Sequence, residues 1–260
     1  MTINKGMRFL YAGQDSEEFE VILCSIGNIN TETNDEETSL VTSKSPFKDS
    51  WDLHYIENTA PLNFTLTIAD INGLYLDSDR QRILKRWLCK DKRYWLQVDQ
   101  DDLTEVYYYC IMNNPRPVNN AKFTGGMELN VICDCGHAWS YLHKEFYETN
   151  NGVLTFDFNN VADYDNYILY PTVIINPTKN GNISIRNNTT GDEVVIKNCI
   201  TNEIITIDGR SDNAETTSYR RLLDDWNKNV VELITGVNNL TLTGNFKMLF
   251  EYRMPIRVGG

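Results

Sequence analysis

The sequence contains no apolar run near the roughly 18 residues that a membrane-crossing helix needs, which excludes a helical membrane span. It has only 3 histidines in 260 residues, little material for acid–base chemistry. Bases are also short: 24 Lys and Arg stand against 36 Asp and Glu, a formal net charge of −12. Non-specific nucleic-acid binding and docking on anionic membranes both require a basic face, so both are disfavoured. The opening stretch "MTINKGMRFLYAGQDSEEFEV" lacks a cationic region followed by an apolar block, so no secretory signal is expected. On that basis the five Asn-x-Ser/Thr sites, such as Asn63-Phe64-Thr65, are expected to stay unmodified. The 6 cysteines are expected to be reduced thiols rather than a disulfide framework.

Known catalytic signatures are missing as well. There is no Gly-x-Ser-x-Gly, phosphate loop, His-Glu-x-x-His or dinucleotide fingerprint. Asp99, Asp101 and Asp102 sit where the alternation around "YWLQVDQDDLTEVYYY" predicts a hairpin turn rather than a paired-carboxylate site. The expectation is a protein without enzymatic activity, without catalytic, cofactor-binding or metal residues, and without a cofactor.

What the sequence has in quantity is alternation. In "LNFTLTI", Leu62, Phe64, Leu66 and Ile68 share one face while Asn63, Thr65 and Thr67 share the other. In "MELNVICDC", Met127, Leu129, Val131, Cys133 and Cys135 point one way. In "NLTLTGNFKMLFEYRM", Leu240, Leu242, Phe246, Met248, Phe250, Tyr252 and Met254 align. A period of two marks strands with one buried face. "EVILCSI", "VYYYCIM", "YPTVIIN", "NISIRN", "EVVIKN" and "EIITID" add further short strands. Turns are signalled at Asn180-Gly181, Thr190-Gly191-Asp192 and Asp208-Gly209. Thirty asparagines, concentrated in the second half, suit many turns because Asn tolerates left-handed backbone.

One helix stands out over residues 79–90, in "SDRQRILKRWLC", with Ser78 as N-cap, Gln81 at capping-box spacing, and Ile83, Leu84, Trp87 and Leu88 as one apolar stripe. A second candidate, "YRRLLDDW", places Tyr219, Leu222, Leu223 and Trp226 at helical spacing but has no stop signal. The polar stretch Asn28–Ser50 reads as an extended loop or hairpin arm. "KEFYETNNGV" reads as a connection, placing a domain boundary at 146/147.

Three features invite a functional reading. Cys133, Cys135 and His137 fall at alternate positions. Zinc needs a tetrahedron of such ligands, but extended residues i and i+2 lie roughly 6.5–7 Å apart. A chelate would require a bend at Gly136 and a distant fourth ligand, such as Cys24, Cys89, Cys110, Cys199, His54 or His143. The simpler reading makes Cys133 and Cys135 a continuation of the buried face. Arg80, Arg82, Lys85, Arg86, Lys90, Lys92 and Arg93 form a basic cluster on an acidic chain. They form either the solvated face of the helix or a docking face for an acidic neighbour, such as another copy. Tyr107, Tyr108, Tyr109, Trp51 and Trp139 could stack on a sugar, although such rings are more often core or interface anchors.

The ordered set "RFLYAGQDSEEFEVIL", "APLNFTLTI", "RILKRWLCKDKRYWLQVDQDD", "YYYCIM", "GGMELNVICDCGHAWS", "LYPTVIIN", "GNISIRNNTTGDEVVI", "NEIITIDG" and "GVNNLTLTGNFKMLFEYR" resembles the distal tail proteins of long-tailed (siphovirus-type) bacteriophages along nearly the whole chain. The block from Gly236-Val237-Asn238 to Arg253 carries the resemblance most distinctively. It implies a mainly β fold of two β-sandwich domains. Residues 1–146 would be a ring-forming belt domain with one α-helix, and residues 147–260 a galectin-like or carbohydrate-module-like sandwich. It implies a structural part of the virion at the distal end of the tail, synthesised in the bacterial host cytoplasm. Expected partners are five further copies in a hexameric ring, the tail tube protein, the tail-tip hub, the tape-measure protein and receptor-binding proteins, with no membrane and no specific nucleic acid. It also favours a strand or loop over a helix at Tyr219–Trp226, and weighs against metal at Cys135-Gly136, where the family has Ser-Pro or similar. A carbohydrate-binding module reading a cell-wall glycan is the second reading.

Overall fold

A computed structural model describes residues 7–27, 38–44, 51–58, 60–99, 105–120, 123–149 and 152–258. The chain divides into two compact units, Met1–Trp139 with Ile256–Gly260, and Ser140–Pro255. Both are built mainly from antiparallel strands. The expected boundary at 146/147 lies inside the strand His143–Glu148, which pairs with Phe246–Tyr252 in the second unit. The polar composition of that stretch hides an edge strand, in which His143, Glu145 and Tyr147 are half-buried while Lys144, Phe146 and Glu148 face out.

In the first unit the strands follow one path: Gln14–Asp15, Phe9–Tyr11, Tyr94–Val98, Tyr107–Asn120, Phe123–Cys133, Asn63–Asp70 and Val21–Gly27. The Val21–Gly27 edge of this path meets the chain leading into Phe9–Tyr11. Met7, just before the Phe9–Tyr11 strand, exchanges both backbone hydrogen bonds with Leu23, at 3.0 and 2.8 Å. A sheet closed in this way hides the unpaired edges that would otherwise template aggregation. Its inner face carries the alternating residues read from sequence: Phe64, Leu66, Ile68, Met127, Leu129, Val131 and Cys133 are all buried in one core with Phe9, Tyr11, Leu23 and Leu96. Gly126 is required by this closeness, since a Cβ there would stand 2.6 Å from the Ile68 carbonyl oxygen.

The helix spans Ser78–Leu88. Its N-cap is Asp77, whose carboxylate accepts from Arg80 N at 2.8 Å, so Ser78 is the first helical residue instead of the cap. Leu84, Trp87 and Leu88 are buried, whereas Ile83 is 56% exposed and leaves the predicted stripe. Trp87 anchors the helix: its ring stacks on Phe19 (4.0 Å) and Phe9 (5.4 Å), and its Nε1 donates to Tyr11 O at 3.2 Å.

The second unit is a sandwich. One sheet has the order His143–Glu148, Phe246–Tyr252, Thr172–Pro177, Ile205–Asp208, Asn213–Thr216. The other has Val153–Asn160, Gly236–Thr243, Gly181–Asn187, Glu193–Cys199. Val173, Ile175, Phe246, Met248 and Phe250 from the first meet Ile183, Ile185, Val194, Leu240 and Leu242 from the second in one core. Burying each such side chain contributes about 1.5–3 kcal/mol. The block from Leu240 to Met254 is buried as its alternation predicts, but it serves both sheets: the chain crosses between them at Gly244. That glycine has φ +118°, and a Cβ on it would lie 2.7 Å from Asn182 O. "YRRLLDDW" contains one helical turn, Leu222–Asp225, where a strand or loop was favoured. Leu222 and Trp226 are buried, but Tyr219 and Leu223 are exposed, so the turn has too short an apolar stripe to extend.

Candidate functional site

The thiol-bearing segment separates into two environments. The strand Phe123–Cys133 ends at Cys133, which is buried in the core. Residues 134–137 bend away. The bend is pinned by backbone hydrogen bonds from Leu62 N to Cys135 O (2.9 Å) and from Asp134 N to Tyr109 O (3.0 Å). Cys135 therefore does not continue the buried face, contrary to the alternation. It is half-buried, and its Sγ donates to Asp134 Oδ1 (3.2 Å) and His137 O (3.3 Å). His137 packs edge-on against Trp139, which is buried and directs its Nε1 toward Asp134 Oδ1 at 3.4 Å. Among the described residues, no three His, Cys, Asp or Glu side chains converge as a metal site. Burial pushes the Cys110 and Cys133 thiols far above their ordinary range, so neither offers a ready thiolate.

The basic cluster also divides. Arg80 turns inward rather than outward. Its Nη2 lies 2.5 Å from Asp70 Oδ2 and 3.2 Å from Glu20 Oε2, and donates to Glu20 O at 3.2 Å. Asp70 is a buried carboxylate whose Oδ1 accepts from Asn72 N (2.7 Å) and Leu74 N (3.0 Å). Arg80 is thus a structural pin that fixes the helix start to the loop after Asn63–Asp70. Arg82, Arg86, Lys92 and Arg93 are exposed and Lys85 and Lys90 half-buried, leaving a basic surface around exposed Ile83.

The remaining sequence candidates disperse. Asp99 is exposed, and its N–H donates to Arg8 O at 2.8 Å; with Arg8, Phe9, Leu10, Asp15 and Gln97 it borders a 250 Å³ hollow. Asp101 and Asp102 lie outside the described residues. Of Asn28–Ser50, residues 28–37 and 45–50 lie outside them, and Thr38–Lys44 is a strand paired with Trp51–Asn58. Tyr108 packs edge-on against Phe64 (5.2 Å) and Tyr109 lies against Trp95 (4.9 Å), so these rings serve packing.

The sequence reading missed a polar clamp in the second unit. Glu203, whose side chain is 2% exposed, accepts from Arg220 through both oxygens, at 2.9 and 3.0 Å, and from Ile200 N (2.9 Å) and Thr216 Oγ1 (2.8 Å). Arg220 also donates to Asp225 Oδ2 and Lys197 O, at 2.8 and 2.9 Å. Burial alone would raise the Glu203 carboxyl; the hydrogen bonds from Arg220, Ile200, Ser218 and Thr216 outweigh it and hold it below the usual range. Nearby, Asn187, Asn160 and Asn238 are buried and donate to Glu232 O (2.9 Å), Leu233 O (3.0 Å) and Ile234 O (2.7 Å) respectively. A 610 Å³ groove beside this segment is lined by residues including Asp192, Asp212, Trp226, Lys228 and Glu232. No local pattern marks the pairings of Glu203 with Arg220, Asn187 with Glu232 and Asn160 with Leu233, because those partners lie 17, 45 and 73 residues away.

A family described as "Phage tail protein N-terminal domain" matches residues 4–135, and one described as "Phage tail C-terminal domain" matches residues 137–252. No curated protein matches. Among solved structures, the Dit protein (gp 19.1) of phage SPP1 is similar with a TM-score of 0.68 at 11% identity, covering 95% of this chain and 99% of that one. A chain of the phage P2 baseplate in its activated conformation with Ca is similar with a TM-score of 0.57 at 10% identity, covering 95% and 98%. The corresponding phage p2 structure with Sr gives 0.57 at 10% identity, covering 94% and 97%. At such identities these structures speak to the fold, and the family matches speak to descent. This chain belongs to the phage tail protein family, its two matched domains together spanning nearly its whole length.

Proposed function

We propose that this chain is a structural component of the phage tail tip, a ring that joins the tail tube to the tail-tip hub. The observation that carries this reading is the end-to-end likeness, across both units, to a protein whose name places it in a hub adsorption apparatus. In this reading the first unit closes a ring of six copies, through which the tape-measure protein passes. The second unit is a galectin-like sandwich available to receptor-binding proteins. The likeness to baseplate chains favours this over a glycan-reading module.

A ring of identical chains uses a heterologous contact that closes by rotation. The exposed helix surface bearing Arg82, Ile83 and Arg86, continued by Lys92 and Arg93, is the contact face we assign to it. It is a basic face on a chain of formal charge −12, so another copy is an electrostatically complementary neighbour. Native mass spectrometry and electron microscopy of the full chain, alone and mixed with tube and hub proteins, test the reading. The expected result is a six-membered ring, weakened about tenfold or more by Arg82→Glu with Arg86→Glu and by raised salt. A chain that stays monomeric with both partners present overturns it.

A further inference from the structure

The two longest strands of the first unit, Tyr107–Asn120 and Phe123–Cys133, place Cys110 directly opposite Cys133. The hydrogen-bond pattern fixes what kind of pair this is. The next pair outward is bonded, since Asp134 N donates to Tyr109 O at 3.0 Å. Cys133 directs its own N–H away from Cys110, to Leu62 O just before the strand Asn63–Asp70, at 2.9 Å. Antiparallel ladders alternate between wide bonded pairs and narrow non-bonded ones. Cys110 and Cys133 therefore form a narrow pair, with Cα atoms roughly 4.5 Å apart and side chains at their closest. Disulfides span Cα separations of about 4.4–6.8 Å, a range that a narrow pair meets. Both side chains lie on the same inner face, 0% and 1% exposed, and both are free thiols.

We propose that Cys110 and Cys133 are a convertible dithiol, which a small-molecule disulfide of the glutathione type oxidises to a cross-strand disulfide stapling the centre of the first unit's sheet. The thiolate of one cysteine attacks the small-molecule disulfide, forming a mixed disulfide and releasing one small thiol. The second cysteine then loses its proton, attacks the protein-side sulfur and releases the second small thiol. The protein gives up two electrons and two protons, and the small-molecule disulfide takes them up. Burial keeps the pair inert while the sheet is closed, so reaction proceeds from local opening. Cys133 is the last residue of its strand, next to the bend at 134–137, which is where such opening starts. Compartment decides the state: dithiol in a reducing cytosol, disulfide outside it.

The test uses the full-length folded chain incubated with oxidised glutathione, then denatured, alkylated and mapped by mass spectrometry. Cleavage before Asp134 separates Cys133 from Cys135, and cleavage after Lys122 separates Cys110 from Cys133, so the linkage is unambiguous. The expected result is the loss of two alkylatable thiols and a peptide carrying Cys110 joined to one ending at Cys133. The same linkage is expected in a Cys24→Ser, Cys89→Ser, Cys135→Ser variant, in which every residue changed lies outside the pair. Full alkylation of both Cys110 and Cys133 after prolonged exposure overturns the proposal. So does a Cys133–Cys135 or Cys110–Cys135 linkage in its place.

Discussion

The first unit encloses its core by bringing one sheet round until Met7 meets Leu23, whereas the second stacks two sheets and ties down the segments between them with buried polar side chains. Among the described residues, the buried polar side chains of the first unit are Ser16 and Asp70. In the second they are Ser140, Thr149, Asn160, Asn187, Glu203 and Asn238. The difference follows from topology. A closed sheet satisfies most of its backbone through its own ladders. A sandwich with long crossings has carbonyls and amides at its rims that no strand can reach. Here side chains supply the missing partners, as Asn187, Asn160 and Asn238 do for the carbonyls of residues 232–234.

If that contrast is physical, the largest single loss in the second unit comes from its charged clamp. Arg220→Ala leaves Glu203 buried without its counter-charge. Breaking a buried pair by removing one partner costs about 3–5 kcal/mol, and the lower end applies here because Arg220 keeps 11% of its side chain exposed. Denaturant unfolding, with hydrogen exchange to locate the loss in the second unit, measures it. Adding Glu203→Gln to Arg220→Ala removes the stranded charge and recovers roughly 1 kcal/mol. If the two losses simply add, the clamp is not a coupled unit.

The next effect is smaller and sharpens the same contrast. Asn238 donates to Ile234 O (2.7 Å) and Gly236 O (3.0 Å), and accepts from Ile234 N and Asn187 Nδ2, both at 3.0 Å. Asn238→Ala orphans these groups at a cost of about 1–3 kcal/mol, with faster amide exchange at residues 231–236. Asn238→Asp keeps the acceptor but loses both donated bonds, so it too is destabilising. A neutral result for both variants would mean that water replaces the amide and the rim does not need it.

What was legible in the sequence was the part set by neighbours in the chain. The alternation in "LNFTLTI" and in Leu240–Met254 identified core residues correctly, because a pleated strand fixes side-chain direction locally. The phage tail resemblance was legible for a related reason, as the order of such blocks survives where identity does not. Alternation could not say that Leu242 and Phe246 enter one core from different sheets, since the crossing at Gly244 depends on a close approach to Asn182. It also could not say that the strand stops at Cys133, because the bend is held by Leu62 and Tyr109. Asparagine was read as turn material, which its local propensity supports. The bond between Asn187 and Asn238 spans 51 residues and has no local signature. Arg80 looked like one more exposed base of a helix until Asp70 and Glu20 were seen beside it.

The smallest expected effect lies in the first unit, at the start of its helix. Both Asp77 and Ser78 are good N-cap types, so sequence alone favoured the one with Gln81 three residues on. In the structure Asp77 has extended backbone, φ −68° and ψ 175°, and its carboxylate accepts from Arg80 N, while Gln81 reaches back to Leu76 O at 2.8 Å. Asp77→Ala should cost about 1 kcal/mol, and Ser78→Ala should stay within about 0.5 kcal/mol. The loss is modest because the helix is held mainly by buried Leu84, Trp87 and Leu88. A larger loss at Ser78 than at Asp77 would move the helix start by one residue. It would also turn Arg80 away from Asp70, removing a charged pin that resembles the clamp of the second unit.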